Sequence, residues 1–315
     1  MGIRPESGHD LSHSWLCCNF LPVMKIAEHY QSDRCVLSYE LFPPKTDNGV
    51  QSLYDNVHRL MEFQPDFITC TYGAGGSTQG RTLDLITEVK RRFQVPVASH
   101  LTLVGSTVDQ LRDYLTQAKE RGIDGIVALR GDAPKGQDKF QATAGGFQYA
   151  NQLVELIRGE FPDFSQLVAG YPETHREAPN AEIDLDNLKR KVDAGAHAIV
   201  TQLFFDNQDF FRFRDRCESR GISVPIVPGI LPVSSLGQIN RLAEMCGAKL
   251  PEKLLERLAA NDDESWQQKV GVEYASQQVR NLQDEGVAGL HFYVLNQSRA
   301  TMEVLGELGF ARAGT

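Results

Sequence analysis

The sequence predicts one α/β domain folded as an eight-stranded parallel β/α (TIM) barrel, with extra helices before the last strand. Three observations carry this. Short apolar runs rich in β-branched residues recur at 36–42, 67–71, 97–103, 125–129, 167–170, 198–203, 226–230 and 290–294. The runs are continuous rather than alternating, as strands buried on both faces require. Amphipathic stretches of helical period separate them, which is the strand–helix alternation of a barrel.

The first run ends in Glu40-Leu41-Phe42-Pro43-Pro44. A doubly wound open sheet, the competing architecture, needs a glycine-rich turn at that point. The helix over 50–61 puts Val50, Leu53, Tyr54, Val57, Leu60 and Met61 on one face, and the helix over 108–119 does so with Val108, Leu111, Leu115 and Ala118. Leu153, Leu156 and Ile157 mark another helix, and Leu188, Val192 and Ala196 one more. The interval 247–287 is too long for a single connection and predicts extra helices starting near Pro251 and Asp263.

The 315 residues, 41% of them hydrophobic, suffice for a large core. Barrels of roughly 250 residues fold as one unit. Residues 31–315 are therefore read as one catalytic domain, and residues 1–30 as a poorly ordered leader. In that leader His9, His13, Cys17 and Cys18 lie close together. A metal site there competes with a plain leader, and the plain leader is preferred, so no metal is expected. The apolar run from Trp15 to Met24 is broken by Asn19 and Pro22, and no stretch is long enough to cross a membrane. Met24 is a candidate alternative start. None of the six cysteines has C-x-x-C spacing, which suits reduced thiols. A net charge of -9 builds no basic field for nucleic acid. A cytoplasmic enzyme is the expectation.

A barrel works at the carboxyl ends of its strands, and unusual polar groups fall there. Glu40 lies inside the first run, Thr71 and Tyr72 close the second, and His100 lies within the third. Arg130, Gly131 and Asp132 follow the fourth, and Tyr171 and His175 the fifth. Gln202, then Pro228 and Gly229, then His291 mark the last three. Polar residues at equivalent ends of successive strands argue for one shared pocket. Burial should raise the Glu40 carboxyl toward neutral pH, where it would serve as a general acid. A buried glutamate paired with Lys or Arg is the alternative.

The loop 73–82 contains G-x-x-x-x-G-R-T, a P-loop pattern except for Arg81 in place of lysine. No second strand ends in a magnesium-holding acid. A backbone nest for a cofactor phosphate or ring edge, or a plain loop entering a helix, both fit better. Asp184, Asn187, Arg190 and Lys191 recur at helical spacing, as either a solvated face or a phosphate and ribose contact would. Phe204 and Phe205 are a ring platform or core. His58 and His197 read as surface or packing residues.

Eight segments together resemble the methylenetetrahydrofolate reductase family, in its bacterial single-domain form. They are YELFPPKT (39–46), TYGAGGSTQGRT (71–82), HLTLVGST (100–107), ALRGD (128–132), GYPETHREA (170–178), KRKVDAGAHAIVTQLFFD (189–206), PIVPGILPVSS (225–235) and HFYVLN (291–296). The resemblance runs from about residue 35 to 308 and implies a β/α barrel. It implies bound FAD, reduced by NADH or NADPH, and ping-pong reduction of 5,10-methylenetetrahydrofolate to 5-methyltetrahydrofolate, which supplies methyl groups for methionine synthesis. It implies that Glu40 is the general acid and that Asp132 tunes the flavin and supports the folate cation.

By the same resemblance Thr71, Tyr72, His100, Leu129, Arg130, Gly131, Asp132, Tyr149, Ala150, Tyr171, His175, Asp184, Asn187, Arg190 and Lys191 match flavin-contacting positions. Gln202 and Gln238 match folate-contacting ones. A homo-oligomer is implied, with no nucleic-acid or membrane partner. The chain departs from the family at Gln297, where an arginine is common, so that Arg299 is the displaced candidate for substrate contact. Leu242 stands where an aromatic can occur. The segment of a regulatory domain is missing, and control by S-adenosylmethionine is not expected. Another flavin-dependent barrel oxidoreductase, or a non-catalytic flavin- or folate-binding barrel, are the alternatives.

Overall fold

The computed structural model describes residues 24–72, 79–133 and 140–310. The leader's histidines and cysteines and the 73–78 part of the glycine-rich loop lie outside them. The chain opens with helix α1 (Ile26–His29) and alternates strand and helix thereafter: β1 (Val36–Leu41), α2 (Asp47–Leu60), β2 (Phe67–Cys70), α3 (Gln79–Phe93), β3 (Val97–Thr102), α4 (Val108–Glu120), β4 (Gly125–Leu129), α5 (Ala150–Glu160), β5 (Ser165–Gly170), α6 (Ala181–Ala194), β6 (Ala198–Thr201) and α7 (Asn207–Ser219). Two short strands follow, β7 (Ile226–Val227) and β8 (Gly229–Ile230). Helices α8 (Leu236–Cys246), α9 (Glu252–Ala259) and α10 (Glu264–Asp284) precede β9 (Gly289–Tyr293) and α11 (Arg299–Glu307).

Helix starts follow capping chemistry. The side chains of Thr46, Thr107, Asn180, Asp206, Ser235 and Asp263 each accept a first-turn backbone N–H. The two extra helices begin after Pro251 and Asp263, as expected from the sequence.

All nine strands pair in parallel, in the order β7-β6-β5-β4-β3-β2-β1-β9-β8. The expected eight strands become nine because the run at 226–230 is cut by Pro228. Proline has no N–H to give to a ladder. The half before it pairs with β6, and the half after it pairs with β9. The barrel is thus nearly closed, with its two sheet edges lying on one five-residue segment. The Pro228 carbonyl still accepts from His291 N at 3.0 Å.

Strand alternation sorts the core into two layers. On β1, Leu37, Tyr39 and Leu41 face the helices, whereas Val36 joins Phe67, Ala98, Val127 and Leu167 in the lumen floor. A third apolar cluster, including Leu231, Ile239, Leu242, Leu254 and Val270, binds α8–α10 together against Leu203 and Phe205. Among the described residues no helix is long and apolar enough to cross a membrane.

The packed body begins earlier than the leader expected over 1–30. Ile26 is fully buried in the lumen floor, its Cδ1 3.2 Å from where a Cβ on Gly125 would stand. Ala27 N donates to Ser165 Oγ at 3.1 Å. His29 and Arg34 both meet Asp66, which also accepts from Leu37 N at 2.8 Å. Burial opposes the charge of Asp66, but these three partners outweigh it and hold the carboxyl below its ordinary range. Helix α1 therefore stoppers the amino-terminal end of the barrel. Ile26→Ala should cost about 2–5 kcal/mol, read as a lower urea midpoint with an unchanged slope.

Candidate active site

At the carboxyl-end mouth, Glu40 is the centre of a buried polar chain. Its side chain faces the lumen, on the same side of β1 as Val36 and Ser38. Glu40 Oε2 lies 3.2 Å from His100 Nε2 on β3 and 3.6 Å from His291 Nε2 on β9. His291 Nδ1 is in turn 2.8 Å from Ser38 Oγ. The His100 contact is close but poorly aligned, and its buried Nε2 makes no hydrogen bond among the described residues. Burial pushes the Glu40 carboxyl up, yet the nearby His100 and His291 outweigh burial and bring it down to about 2. This corrects the expectation of a carboxyl raised toward neutrality. The sequence shows the apolar strand around Glu40 but not the two imidazoles that neighbouring strands bring to it. Its partners are histidines, not the Lys or Arg of the alternative reading.

Tyr293 closes this side of the mouth. Its hydroxyl donates to Thr201 O at 2.7 Å. A Cβ on Gly229 would stand 2.3 Å from Thr201 O and 2.6 Å from Tyr293 Cε2, so only glycine admits the ring here. Ser38 and Tyr293 were not singled out from the sequence. Their places two residues before Glu40 and two after His291 are the signal that could have found them.

A second cluster lies over β4–β6. Arg130 pairs with Glu177 at 2.9 Å and covers the Phe140 ring at 5.1 Å. The Tyr171 and His175 rings meet edge-on at 4.6 Å. His175 N donates to Asp184 Oδ2 at 2.9 Å, and Glu177 N donates to His175 Nδ1 at 3.1 Å. Lys191 reaches in from α6 and donates to Ala169 O at 2.5 Å. Burial lowers its amine to about 8, with Asp184 opposing and Arg130 assisting. Burial, then Arg130, also lowers His175. Exposed Asp132 is close enough to help raise the Tyr171 phenol after burial, and after burial it is the main cause lifting the Cys246 thiol to about 11. Glu40 acts on the same thiol, so Asp132 and Glu40 flank one opening.

The remaining expected contacts divide. Thr71 and Tyr72 follow β2, with Tyr72 edge-on to Tyr114 at 5.6 Å. Leu129 packs on the lumen floor cluster. Tyr149 caps α5 and is 54% exposed, a free ring face beside buried Ala150. Asn187 and Arg190 lie together on α6, with Arg190 exposed. Gln202 Oε1 accepts from Leu203 N and Gln238 Oε1 from Ser234 N, both at 2.9 Å. Their amide nitrogens have no partner among the described residues.

Arg299 is not brought to the mouth. It turns along α11 to Glu303 at 3.0 Å and lines an outer groove with Gln268 and Lys269 of α10. In the free chain the i,i+4 carboxylate of Glu303 holds Arg299 along α11, away from Glu40. Leu242 is buried in the α8–α10 cluster. His197 accepts from Gln166 N as a packing residue does, whereas His58 is exposed, its ring 6.4 Å from that of Phe93.

A parallel barrel with a buried carboxylate–imidazole chain on one side of its mouth and half-buried cations on the other is laid out as a barrel enzyme. A family model described as methylenetetrahydrofolate reductase matches residues 25–309. The 5,10-methylenetetrahydrofolate reductase of Escherichia coli K12 is 42% identical over 274 residues, covering 87% of this chain and 90% of that one. A probable methylenetetrahydrofolate reductase (NADH) of Oryza sativa subsp. japonica is 38% identical over 298 residues, and the match spans 50% of its length. The chain belongs to the methylenetetrahydrofolate reductase family, whose reaction reduces methylenetetrahydrofolate to methyltetrahydrofolate. Among solved structures, an uncharacterized protein from Clostridium thermocellum, described as binding two copies of 5-methyl-5,6,7,8-tetrahydrofolic acid, shares the fold. Its TM-score is 0.61 at 14% identity, over 89% of this chain and 95% of that one.

Gly131 sets the geometry between Arg130 and Asp132. Its φ is +84°, and a Cβ there would stand 2.5 Å from Val104 Cγ2. Gly131→Ala should lose about 1–3 kcal/mol in thermal denaturation, and an unchanged midpoint would mean that the turn relaxes freely.

Proposed function

We propose that the chain reduces 5,10-methylenetetrahydrofolate to 5-methyltetrahydrofolate at the barrel mouth, using FAD reduced by NADH or NADPH in alternate turns at one site. The observation that carries this is the pairing of a buried proton-handling carboxylate, Glu40, with a cationic, aromatic-lined second cluster beside it. The residues present fit the flavin. Arg130, Arg190 and Lys191 supply cations for a pyrophosphate, and among the described residues Lys191 is held by one carbonyl. Tyr149 offers an exposed ring, and buried His100 Nε2 lacks a hydrogen-bond partner among the described residues. When bound, the flavin supplies hydride transfer from nicotinamide to the folate carbon.

The protein's own part is proton and charge. Glu40 and His100, 3.2 Å apart but without a hydrogen bond among the described residues, are placed to pass a proton between them once their contact aligns. In the open mouth the neighbouring imidazoles favour the carboxylate form of Glu40. Covering the mouth with bound ring systems removes water, and a dry ion pair loses its advantage over the neutral pair. Glu40 then holds the proton that the opening methylene bridge takes up. Asp132, across the opening, carries the negative charge that favours the resulting iminium. Gln202 and Gln238 present free amide N–H groups to the pterin edge. The plant relatives are named for NADH, which makes it the first reductant to try.

The Glu40→Gln variant should bind flavin and oxidise nicotinamide at near the unsubstituted rate, yet lose folate reduction by about 100-fold or more. Anaerobic spectra check this: the flavin bleaches with NADH and fails to recolour with methylenetetrahydrofolate. Recolouring at the normal rate would remove Glu40 as the acid. Failure of the unsubstituted protein to recolour would leave a flavin barrel with another substrate.

Lys191 gives a pH dependence. With its amine at about 8 in the free protein, an anionic cofactor must recharge it above that pH, so binding takes up a proton. Flavin affinity should fall by up to about tenfold per pH unit above pH 8, and Lys191→Met should bind more weakly with a flat profile. Fluorescence titration of FAD between pH 7 and 10 measures both.

A further inference from the structure

Thr69 is a lumen hydroxyl that no hydrogen bond among the described residues explains. On β2, Phe67 points into the lumen floor while Ile68 and Cys70 pack outward beneath the helices. Thr69, two residues beyond Phe67, therefore faces the lumen. It is fully buried, and its Oγ1 has no hydrogen-bond partner among the described residues. Its register neighbour on β1 is Glu40, whose side chain faces the same way. On the other side of β2 stands β3, which carries His100. The buried Nε2 of His100 is also without a hydrogen bond, although it lies 3.2 Å from Glu40 Oε2. Two unsatisfied polar atoms from adjacent strands thus flank one carboxylate. Buried hydroxyls and imidazole nitrogens are rarely left bare, because each keeps its full desolvation cost.

We infer that Thr69 is a positioning residue for Glu40: its hydroxyl, which meets no protein partner among the described residues, reaches the Glu40–His100 pair from the β2 side through one ordered water. The threonine is β-branched, with few rotamers, so a bond from it fixes direction as well as energy. A neutral donor next to a carboxylate favours the charged form over the acid. Thr69 therefore opposes premature protonation in the open mouth and keeps the carboxyl aimed until the rings cover it. The inference rests on the reading of Glu40 as the proton donor. The other groups acting on that carboxyl are His100 from β3, His291 and Tyr293 from β9, Cys70 from β2 and Cys246 from α8. Thr69 is the one neighbour on β2 that can act on it by hydrogen bonding without carrying charge.

Thr69→Val keeps the shape of the side chain and removes the hydroxyl. Folate reduction requires protonated Glu40, so its rate falls as pH rises through the apparent pKa of Glu40 in the covered mouth. Without the hydroxyl, that fall should move up by roughly one pH unit. Nicotinamide oxidation with a quinone as acceptor should keep its unsubstituted rate and profile. Thr69→Ser, which restores a hydroxyl, should return the folate profile to the unsubstituted position. If the valine variant does not fold, Thr69→Ala should show the same shift. A valine profile superimposed on the unsubstituted one, or a serine profile displaced as far as the valine one, would overturn the assignment of Thr69 alone. An unsubstituted protein that oxidises nicotinamide but never reduces the folate would overturn the functional reading, and Thr69's role with it.

Discussion

A carboxylate inside a barrel lumen must be neutralised where it stands, and much of the mouth is arranged around that requirement. Glu40 cannot reach bulk water with its backbone locked between β2 and β9. Its counter-charges must come from lumen-facing positions of nearby strands, and β3 and β9 supply His100 and His291. Histidine suits the position because it neutralises a carboxylate while charged and can also return the proton. A lysine or arginine would hold the charge permanently and leave nothing to transfer. Ser38, one lumen step deeper on β1, then orients the His291 ring from its other nitrogen. The register of β9 against β1 is thus a chemical requirement as well as a packing one. A one-residue slip would turn His291 and Tyr293 outward and put Leu290 and Phe292 beside Glu40.

The barrel separates stability from chemistry along its axis. The floor is apolar and stoppered by Ile26 from α1, with the Asp66 hub tying α1 to β1 and β2. The mouth is polar and holds Glu40, His100, His291 and Lys191. Pro228 lies where these demands meet. It interrupts the last ladder, and the adjacent Gly229 leaves room for Tyr293 at the site. A regular strand at 226–230 would close the sheet more fully but would fill that space with a side chain.

Periodicity made most of this fold legible, since each expected apolar run contains a strand and the α9 and α10 starts fall at Pro251 and Asp263. It could not show that Pro228 divides one run into two strands, because apolarity does not register a missing N–H. It also missed α1, whose four residues are too few for a period, although Ile26 is as buried as any residue of the core. At the site, sequence order placed Glu40, His100, Arg130, Tyr171 and His175 at one end of the barrel, whereas the family resemblance placed Lys191 there. It could not give the sign of the Glu40 shift. Burial and pairing act in opposite directions, and the pairing partners lie 60 and 251 positions away along the chain. The free-chain position of Arg299 was hidden for a related reason: two residues of displacement past Gln297 carry the side chain onto α11, where Glu303 captures it.

The two halves of the mouth oppose each other electrostatically, and that opposition explains why neither is complete alone. On the β4–β6 side, burial and Arg130 push Lys191 and His175 toward their neutral forms, which an incoming anion would reverse. On the β9–β1–β3 side, two imidazoles hold Glu40 charged, which drying would reverse. An anionic, flat ligand entering between them changes both conditions in one event. It brings negative charge to the cations and excludes water from the ion pair. Proton release to substrate is thereby tied to occupancy: an empty mouth keeps Glu40 as a carboxylate, and a filled one makes the acid accessible. The depressed carboxyl of the free chain is on this argument the resting position of a donor armed by its ligands.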